Sequence, residues 1–404
     1  MDSQFNYYLR MLRNAELMTE SYWGHKGACF TEQIENFGLP VAYSYGIEPR
    51  TGMRPRGKQA NAYCEYLWDT VMDFCLMMIR TNTYEGRDIT PYIPFIESCL
   101  TFFDEHYRML ALQRTVQPFD RKKHYIFYPG TAGETYKMAT NSSQTIAALT
   151  AVLKELISLP DQYISKEKKA HWQEMLSHIP PLPFRMMEGH KVIAPAQSFE
   201  RLMNVEINQL YPVFPYDMYG LGRPDLEVAR DTWRYGIDQP KWQKNRHESW
   251  HQDAIFCARL GLLTEARDLV WRKLQNGRHR FPAFFGPGHD WTPDHNWGGT
   301  GMIALQEMLM QNVGDSILIL PCWPKEWNVS FKLHAPKQTT VECTYNNGKI
   351  ETLSVFPESR RKDIIIALNG FATADTLKTV RSQTINDDWE FAFGNETTEH
   401  ISLP

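Results

Sequence analysis

Apolar residues recur every three or four positions along most of the first three quarters of the chain. Leu67, Val71, Phe74 and Met78 share one face of a helix predicted over residues 60–80. The same spacing predicts further helices over residues 4–20, 93–112, 143–159, 165–178, 225–236, 247–260, 264–275 and 300–312. Long loops rich in proline, glycine and aromatic residues connect them over residues 21–58, 114–141, 180–222 and 277–299. Because loops of that length are uncommon unless they are functional, we expect helical hairpins whose loops build a cleft.

The hydrophobic pattern changes after Val313. Short β-branched or alternating runs follow, and Asn347-Gly348 between two of them is typical of a tight β-hairpin turn. The predicted fold class is therefore mainly α with a C-terminal all-β domain. We expect a toroid of α/α hairpins over residues 1–313 and a small β-sandwich over residues 314–404.

Composition narrows the class of partner. The chain of 404 residues is 43% hydrophobic and 22% charged, which is ordinary for a soluble globular protein. A net charge of −4 gives no reason to expect nucleic acid or an acidic membrane as a partner. No apolar run approaches the roughly 20 residues of a membrane span, and the N-terminus lacks the basic start of a signal peptide. We expect a soluble protein, either as it stands or as a piece of a longer exported protein, and the sequence leaves its oligomeric state open.

The seven cysteines are scattered and include no Cys-x-x-Cys pair. Most lie in apolar runs, and their odd number argues against a full disulfide framework. Buried free thiols are therefore the prediction.

Two glycine-punctuated segments carry the candidate chemistry. One contains Asp294, Asn296 and Trp297 followed by two glycines, and the other places Glu134 within residues 129–136. Glycine lets the backbone turn sharply and approach a ligand, and an indole offers a flat apolar face that suits a sugar ring. Two such loops, each with one carboxyl group, fit the requirements of glycoside cleavage.

Several short motifs also occur in a particular order along the chain. They are Leu67-Trp68-Asp69, Gly133-Glu134 with Thr140-Asn141, Leu210-Tyr211-Pro212, Ala258-Arg259-Leu260-Gly261, Asp294-x-Asn296-Trp297-Gly298, and Leu320-Pro321 with Trp323-Pro324-Lys325. In order and spacing the set resembles the catalytic region of glycoside hydrolase family 95, the α-L-fucosidases and α-L-galactosidases. More loosely, it is similar to relatives of that family with six helical hairpins in a toroid.

The resemblance implies roles for three residues. Glu134 would be the general acid, while Asp294, with Asn296 beside it, would serve the water side of an inverting reaction. Inverting enzymes separate their two carboxyl groups by about 6.5–9.5 Å to admit water. This chemistry requires neither a metal nor an organic cofactor.

Parts of that family have no counterpart here. These are its N-terminal β-sandwich, its early barrel helices and the loop whose asparagines hold the water, so the toroid is expected to be incomplete at its N-terminus. A sugar-binding protein without turnover, or a truncated remnant of such an enzyme, therefore remains an alternative.

The expected substrate is an oligosaccharide or polysaccharide. The candidate substrate-binding residues are Glu35, Glu206, Asn208, Trp250, His251, Trp291 and Trp297. The resembled family has an aspartate near the position of Glu35 and histidines near Glu206 and Asn208, so we expect a different sugar specificity. Each tryptophan can equally be an ordinary core or rim residue.

A third interpretation concerns the segment His247-Glu248-Ser249-Trp250-His251, which matches the H-E-x-x-H pattern of zinc peptidases. On a helix, the pattern would put two imidazoles on one face with Glu248 as the base. A third ligand would be required, and Glu265 is the nearest carboxylate on the next predicted helix. A polar helix that lines the barrel is the competing interpretation.

Simpler roles also exist for the two lead carboxylates. Glu134 could be an ordinary residue at the start of a helix, and Asp294 could cap a helix that begins near Gly299.

Overall fold

The structure is a computed structural model that describes residues 1–41, 57–238, 246–275, 295–368, 389–392 and 398–401. The chain divides into two compact units. Unit 1 comprises Met1–Asn82 and Arg87–Tyr216, and unit 2 comprises Thr83–Gly86 and Asp217–Pro404. The predicted boundary between residues 313 and 314 stays a prediction.

Both units contain helices. They are α1 (Asp2–Trp23), α2 (Val71–Glu85), α3 (Ile93–Arg114), α4 (Ser143–Ser158), α5 (Lys166–Ser177), α6 (Leu226–Tyr235), α7 (Asp253–Arg259), α8 (Leu263–Lys273) and α9 (His295–Leu309). Helix α4 is buried along most of its length, and the Ser142 side chain caps it by accepting from Thr145 N.

Three predicted helix starts were wrong. Helix α2 begins at Val71 rather than near residue 60, and a short 3-10 helix (Ala62–Cys64) precedes it. The Asn61 side chain caps that 3-10 helix by accepting from Tyr63 N, so the backbone there uses local side-chain hydrogen bonds instead of α-helical ones. Helix α7 begins only at Asp253. Helix α9 begins at His295, so the glycines of the Asn296-Trp297-Gly298-Gly299 segment lie inside a helix instead of in a sharp turn.

Unit 1 also contains small antiparallel sheets within loops that were expected to lack regular structure. Their strands are β1 (Gly130–Ala132), β2 (Tyr136–Ser142), β3 (Phe184–Met187), β4 (His190–Ile193), β5 (Ala196–Ser198) and β6 (Arg201–Leu202). Strands β1 and β2 form a hairpin, and β2 also pairs with β5 and β6. Strands β3 and β4 form a separate hairpin. The architecture is thus mixed helix and sheet, and the fold class of mainly α before residue 314 was too simple.

The remaining strands lie in unit 2. They are β7 (Met310–Val313), β8 (Ser316–Ile319), β9 (Val329–Ala335), β10 (Thr339–Asn346), β11 (Lys349–Phe356), β12 (Ile364–Ile366), β13 (Trp389–Ala392) and β14 (Thr398–Ile401). One sheet has the order β11-β10-β9 and is antiparallel, and the other has the order β14-β13-β12-β8-β7, with β12 parallel to both its neighbours. Asn347 and Gly348 join β10 to β11 with positive φ angles, which confirms the predicted hairpin.

Two further expectations concern the whole chain. All seven cysteines are free and buried, which confirms the prediction of buried thiols. Within the described ranges, none of the helices has both the length and the apolar character that crossing a bilayer requires.

Candidate functional site

Glu134 lies at the tip of the β1–β2 hairpin, in a turn whose backbone is fixed by hydrogen bonds. Gly133 adopts a φ of +51°, which is strained for any residue with a Cβ atom. Its N–H donates to Gln144 Oε1 at 2.9 Å, and Thr135 N closes the turn onto Ala132 O at 3.3 Å. Because buried groups fix the turn, the direction in which Glu134 leaves the backbone is fixed too.

Three hydrogen bonds hold Glu134 in place. Asn204 Nδ2 donates to Glu134 Oε2 at 2.9 Å, and the Cys64 thiol donates to Oε1 at 3.5 Å. The backbone N–H of Glu134 donates to Glu206 Oε2 at 2.7 Å. A half-buried carboxyl group is thereby oriented through both of its oxygens.

The side chain of Glu32, from another segment of unit 1, lies close to Glu134 and Cys64. Oxygen atoms of Glu32 and Glu134 and the Cys64 sulfur all lie within 4.8 Å of one another. Burial, followed by the charges of Glu32 and Glu134, raises the pKa of the Cys64 thiol far above its usual value. Cys64 therefore stays protonated and serves as a hydrogen-bond donor between two carboxylates, not as a nucleophile.

The carboxyl group of Glu206 is much less acidic than an ordinary glutamate. Burial and then the like charge of Glu134 raise the pKa of Glu206 to about 7, against the opposing effects of the Glu134 N–H and Lys137. Its own backbone N–H donates to Thr135 Oγ1 at 3.0 Å. At neutral pH, one proton is consequently available in this group of carboxylates.

Lys137 supplies the positive charge and is completely buried. Its Nζ donates to the carbonyl oxygen of Tyr63. Burial lowers the pKa of Lys137 to about 8, although the neighbouring Cys64, Glu206 and Glu134 act in the opposite direction.

We call Glu32, Cys64, Glu134, Lys137 and Glu206 the carboxylate cluster. It combines three carboxylates, one ammonium group and a protonated thiol, all in unit 1. Titratable groups whose pKa values lie near neutrality and that face one another are typical of acid–base sites.

The 3-10 helix Ala62–Cys64 positions the thiol of the cluster. Asn61 Nδ2 contacts the Cys64 sulfur at 3.5 Å, and Asn61 Oδ1 accepts from Tyr63 N at 2.9 Å. In the same segment, Tyr63 is exposed and Tyr66 is half-buried.

The sequence-predicted residues of unit 1 fall into two groups. Glu134 and Glu206 come together in the cluster. Asn208 is fully buried beneath the hairpin turn, with its amide 3.1 Å from Gln144 Oε1, and it supports the turn. Glu35 lies outside the cluster, exposed in a turn that Gly38 N closes onto its carbonyl oxygen at 2.8 Å.

In unit 2, Asp294 and Trp291 lie outside the described residues. Asn296 is exposed in the first turn of α9. Trp297 is buried and donates from Nε1 to Lys273 O at 2.7 Å, so its proposed role as an exposed stacking face was wrong. The reason is that the first turn of α9 packs this indole into the core of unit 2.

The H-E-x-x-H segment does not form the helix that a zinc site of this type requires. Residues 246–250 form turns and one bend, and Ser249 has a φ of +47°. Lys273 Nζ donates to the carbonyl oxygens of both His247 and Ser249 at 3.0 Å, which stabilises this non-helical backbone. His251 is buried against Trp250, with ring centroids 5.4 Å apart. The helical geometry assumed for the zinc peptidase was wrong.

No model of a known protein family matches this chain, and no curated protein sequence matches it. The resemblance to glycoside hydrolase family 95 therefore rests on the short motifs alone.

Proposed function

We propose that the protein hydrolyses a glycosidic bond in an oligosaccharide or polysaccharide, with Glu134 as the general acid. The observation that supports this proposal is the position of Glu134 on a rigid turn, hydrogen-bonded to Asn204 and Cys64 and adjacent to Glu206. A glycosidase requires one carboxyl group that keeps a proton near neutral pH and a second that stays ionised.

The electrostatics of the cluster disfavour ionisation of Glu134 and Glu206 at the same time, because burial and then the like charge of Glu134 raise the pKa of Glu206 to about 7. In the proposed reaction, the proton of this pair is on Glu134 when the substrate is bound. A proton on Glu134 can then pass to the leaving oxygen as the glycosidic bond breaks, and general acid catalysis of this kind contributes about 100- to 10,000-fold.

The resemblance adds a scaffold and a partner to the proposal. It supplies a helical toroid as the scaffold and Asp294 with Asn296 as the groups that orient water. Asp294 lies outside the described residues, so the proposal depends on Glu134.

The test is the substitution E134Q. Glutamine keeps the size of the side chain and an acceptor for Asn204, but it cannot donate a proton as an acid. We expect kcat/KM on aryl glycosides to fall about 100- to 10,000-fold, while sugar affinity measured by calorimetry is retained. The loss should be smaller for dinitrophenyl glycosides, whose leaving group needs little protonation.

E188Q is the matched control, because Glu188 is an exposed glutamate in the turn of the β3–β4 hairpin. It should leave turnover unchanged. Full activity of E134Q would remove Glu134 from the acid role, and saturable sugar binding by the wild type without any turnover would establish the sugar-binding alternative instead.

A further inference from the structure

We propose that Asp69 is a positioning residue for Glu134 and that it acts through the side-chain amide of Gln144. This inference rests on the proposed function and deepens it, because it names the group that fixes the turn from which the general acid projects.

Asp69 is buried in unit 1, just before the start of α2. Its carbonyl oxygen accepts from Met72 N at 3.0 Å, which anchors its backbone. Both of its carboxyl oxygens accept from side chains in the first turn of α4. Gln144 Nε2 donates to Oδ1 at 3.1 Å, and Thr145 Oγ1 donates to Oδ2 at 2.5 Å.

The contact with Asp69 decides which way the Gln144 amide faces. An ionised carboxylate only accepts hydrogen bonds, so Gln144 has to turn its Nε2 towards Asp69 and its Oε1 towards the β1–β2 turn. That oxygen accepts from Gly133 N at 2.9 Å, and Gly133 directly precedes Glu134. Two hydrogen bonds in series therefore link Asp69 to the backbone that carries the general acid.

Burial makes this link important for the position of the turn. Asp69 and Gln144 are each only 2% exposed, so water has little access to replace a lost partner. A reversed Gln144 amide would point its NH₂ group at the N–H of Gly133 and leave buried donors unpaired, which is costly. With an ionised Asp69, only one orientation of this amide satisfies both of its ends.

Two effects act on the charge of Asp69. The first turn of α4 favours a negative charge, because the positive end of the helix dipole lies there. Burial acts in the opposite direction and raises the pKa of Asp69 to about 7. At about pH 8 the carboxyl group is therefore mostly ionised, and the comparison of variants belongs at that pH.

The first test is the substitution D69N in the full chain. The new amide keeps an oxygen for Thr145 and turns its NH₂ group towards Gln144. Two NH₂ groups cannot share that contact, so Gln144 has to reverse or withdraw, and Gly133 N–H loses its acceptor. Hydrogen exchange measured by NMR on protein labelled with ¹⁵N-glycine should be at least about 10-fold faster at Gly133.

An internal reference and a matched variant control for a general loss of stability. Exchange at Gly24, whose N–H donates to Glu20 O at 2.9 Å at the end of α1, should stay as in the wild type. D73N also replaces a carboxyl group that accepts from a hydroxyl, that of Tyr216 at 2.7 Å. Its exchange at Gly133 and its turnover should match those of the wild type.

Turnover of an aryl glycoside gives the second readout. In D69N, kcat should fall about 10- to 100-fold with KM nearly unchanged, because the acid is displaced while the contacts that bind the sugar remain. The double substitution D69N/Q144E exchanges acid and amide between the two positions. The new amide can then donate to the new carboxylate, whose second oxygen accepts from Gly133 N, so slow exchange and kcat should both return.

The outcomes separate this inference from the proposed function. Unchanged exchange at Gly133 in D69N overturns the inference, and it would mean that Asn208 holds the turn, since its amide can accept the same N–H at 3.1 Å once turned over. An unchanged kcat in D69N, or a double variant that does not recover, overturns it while hydrolysis itself stands. If the wild type hydrolyses no glycoside, the proposed function falls, and exchange at Gly133 still decides whether Asp69 holds the turn.

Discussion

At the scale of single residues, the proposed chemistry depends on the pair Glu134 and Glu206. One carboxyl group accepts from the backbone of the other, and their like charges make simultaneous ionisation unfavourable. The proton that both compete for is the one that the proposed reaction delivers. The pair is therefore expected to titrate jointly, and a change at Glu206 should appear in the acidity of Glu134.

The substitution E206Q tests this coupling. Glutamine retains an acceptor for Glu134 N but removes the negative charge, so the pKa of the general acid should fall. We expect the alkaline limb of the kcat/KM profile against pH to move down by roughly 1 unit.

E200Q serves as the control, since Glu200 is an exposed glutamate on the same stretch of chain. An alkaline limb that stays in place in E206Q, or moves to higher pH, would contradict the coupling.

At the scale of elements, the β1–β2 hairpin is what presents the acid. Gln144 on α4 and Asn208 lie beneath its turn, and both are buried. The turn has no space for a side chain at position 133, because a Cβ atom there would collide with Asn208 and Glu206.

G133A should therefore both destabilise the protein and displace Glu134. Left-handed backbone with a Cβ atom costs about 1–3 kcal/mol, and the collision adds to it. We expect a lower melting temperature together with a loss of kcat, measured by thermal unfolding and by turnover at a temperature where the variant is folded.

The substitution G189A distinguishes the effect of backbone strain from that of steric collision, which act together in G133A. Gly189 has a φ of +86°, and a Cβ atom there would meet nothing within 4 Å. It should cost stability through strain alone and leave turnover intact. Equal effects of the two substitutions would mean that the space beneath the β1–β2 turn is unimportant.

At the scale of the whole molecule, each compact unit encloses carboxyl groups. Burial is the main cause that raises the pKa of Asp69 to about 7 in unit 1 and that of Asp253 to about 6 in unit 2. In the unfolded chain, an aspartate titrates near 3.9. Between about pH 4 and 7, the folded state thus binds more protons than the unfolded state, and stability falls as pH rises.

The substitution D69N should reduce this loss of stability with rising pH. The amide cannot ionise, and it keeps an acceptor for Thr145, which donates to Asp69 Oδ2 at 2.5 Å. We expect the urea midpoint of D69N to depend less on pH between about 4 and 7 than that of the wild type. The control is D268N, at an exposed aspartate on α8, whose urea midpoint should change with pH as that of the wild type does. If the urea midpoint of D69N also changes with pH as in the wild type, Asp69 does not titrate in this range.

Local sequence patterns predicted the elements whose stability is local. Helices α3, α4, α5 and α8 follow the apolar spacing, and the β10–β11 hairpin follows from its Asn-Gly turn. Glu134 could also be singled out, because a glycine beside it marked a turn. In each case the determining residues lie within a few positions of one another.

The carboxylate cluster could not be predicted in the same way. Glu32, Cys64 and Lys137 carry no motif, and only folding brings them to Glu134 and Glu206. The predicted stacking role of Trp297 and the helix over residues 247–251 failed for a related reason, since Lys273 on α8 bonds both segments.

The sequence by itself determined where most helices run, that the thiols are buried, and that a glycine-bordered glutamate stands out. Tertiary structure alone decided which groups face that glutamate, how acidic they are and how far apart the carboxyl groups of Glu32 and Glu134 lie. The reason is physical: helix periodicity and turn geometry depend on neighbours in sequence. Desolvation, like-charge repulsion and the distance between Glu32 and Glu134 depend on residues that meet only when the chain has folded.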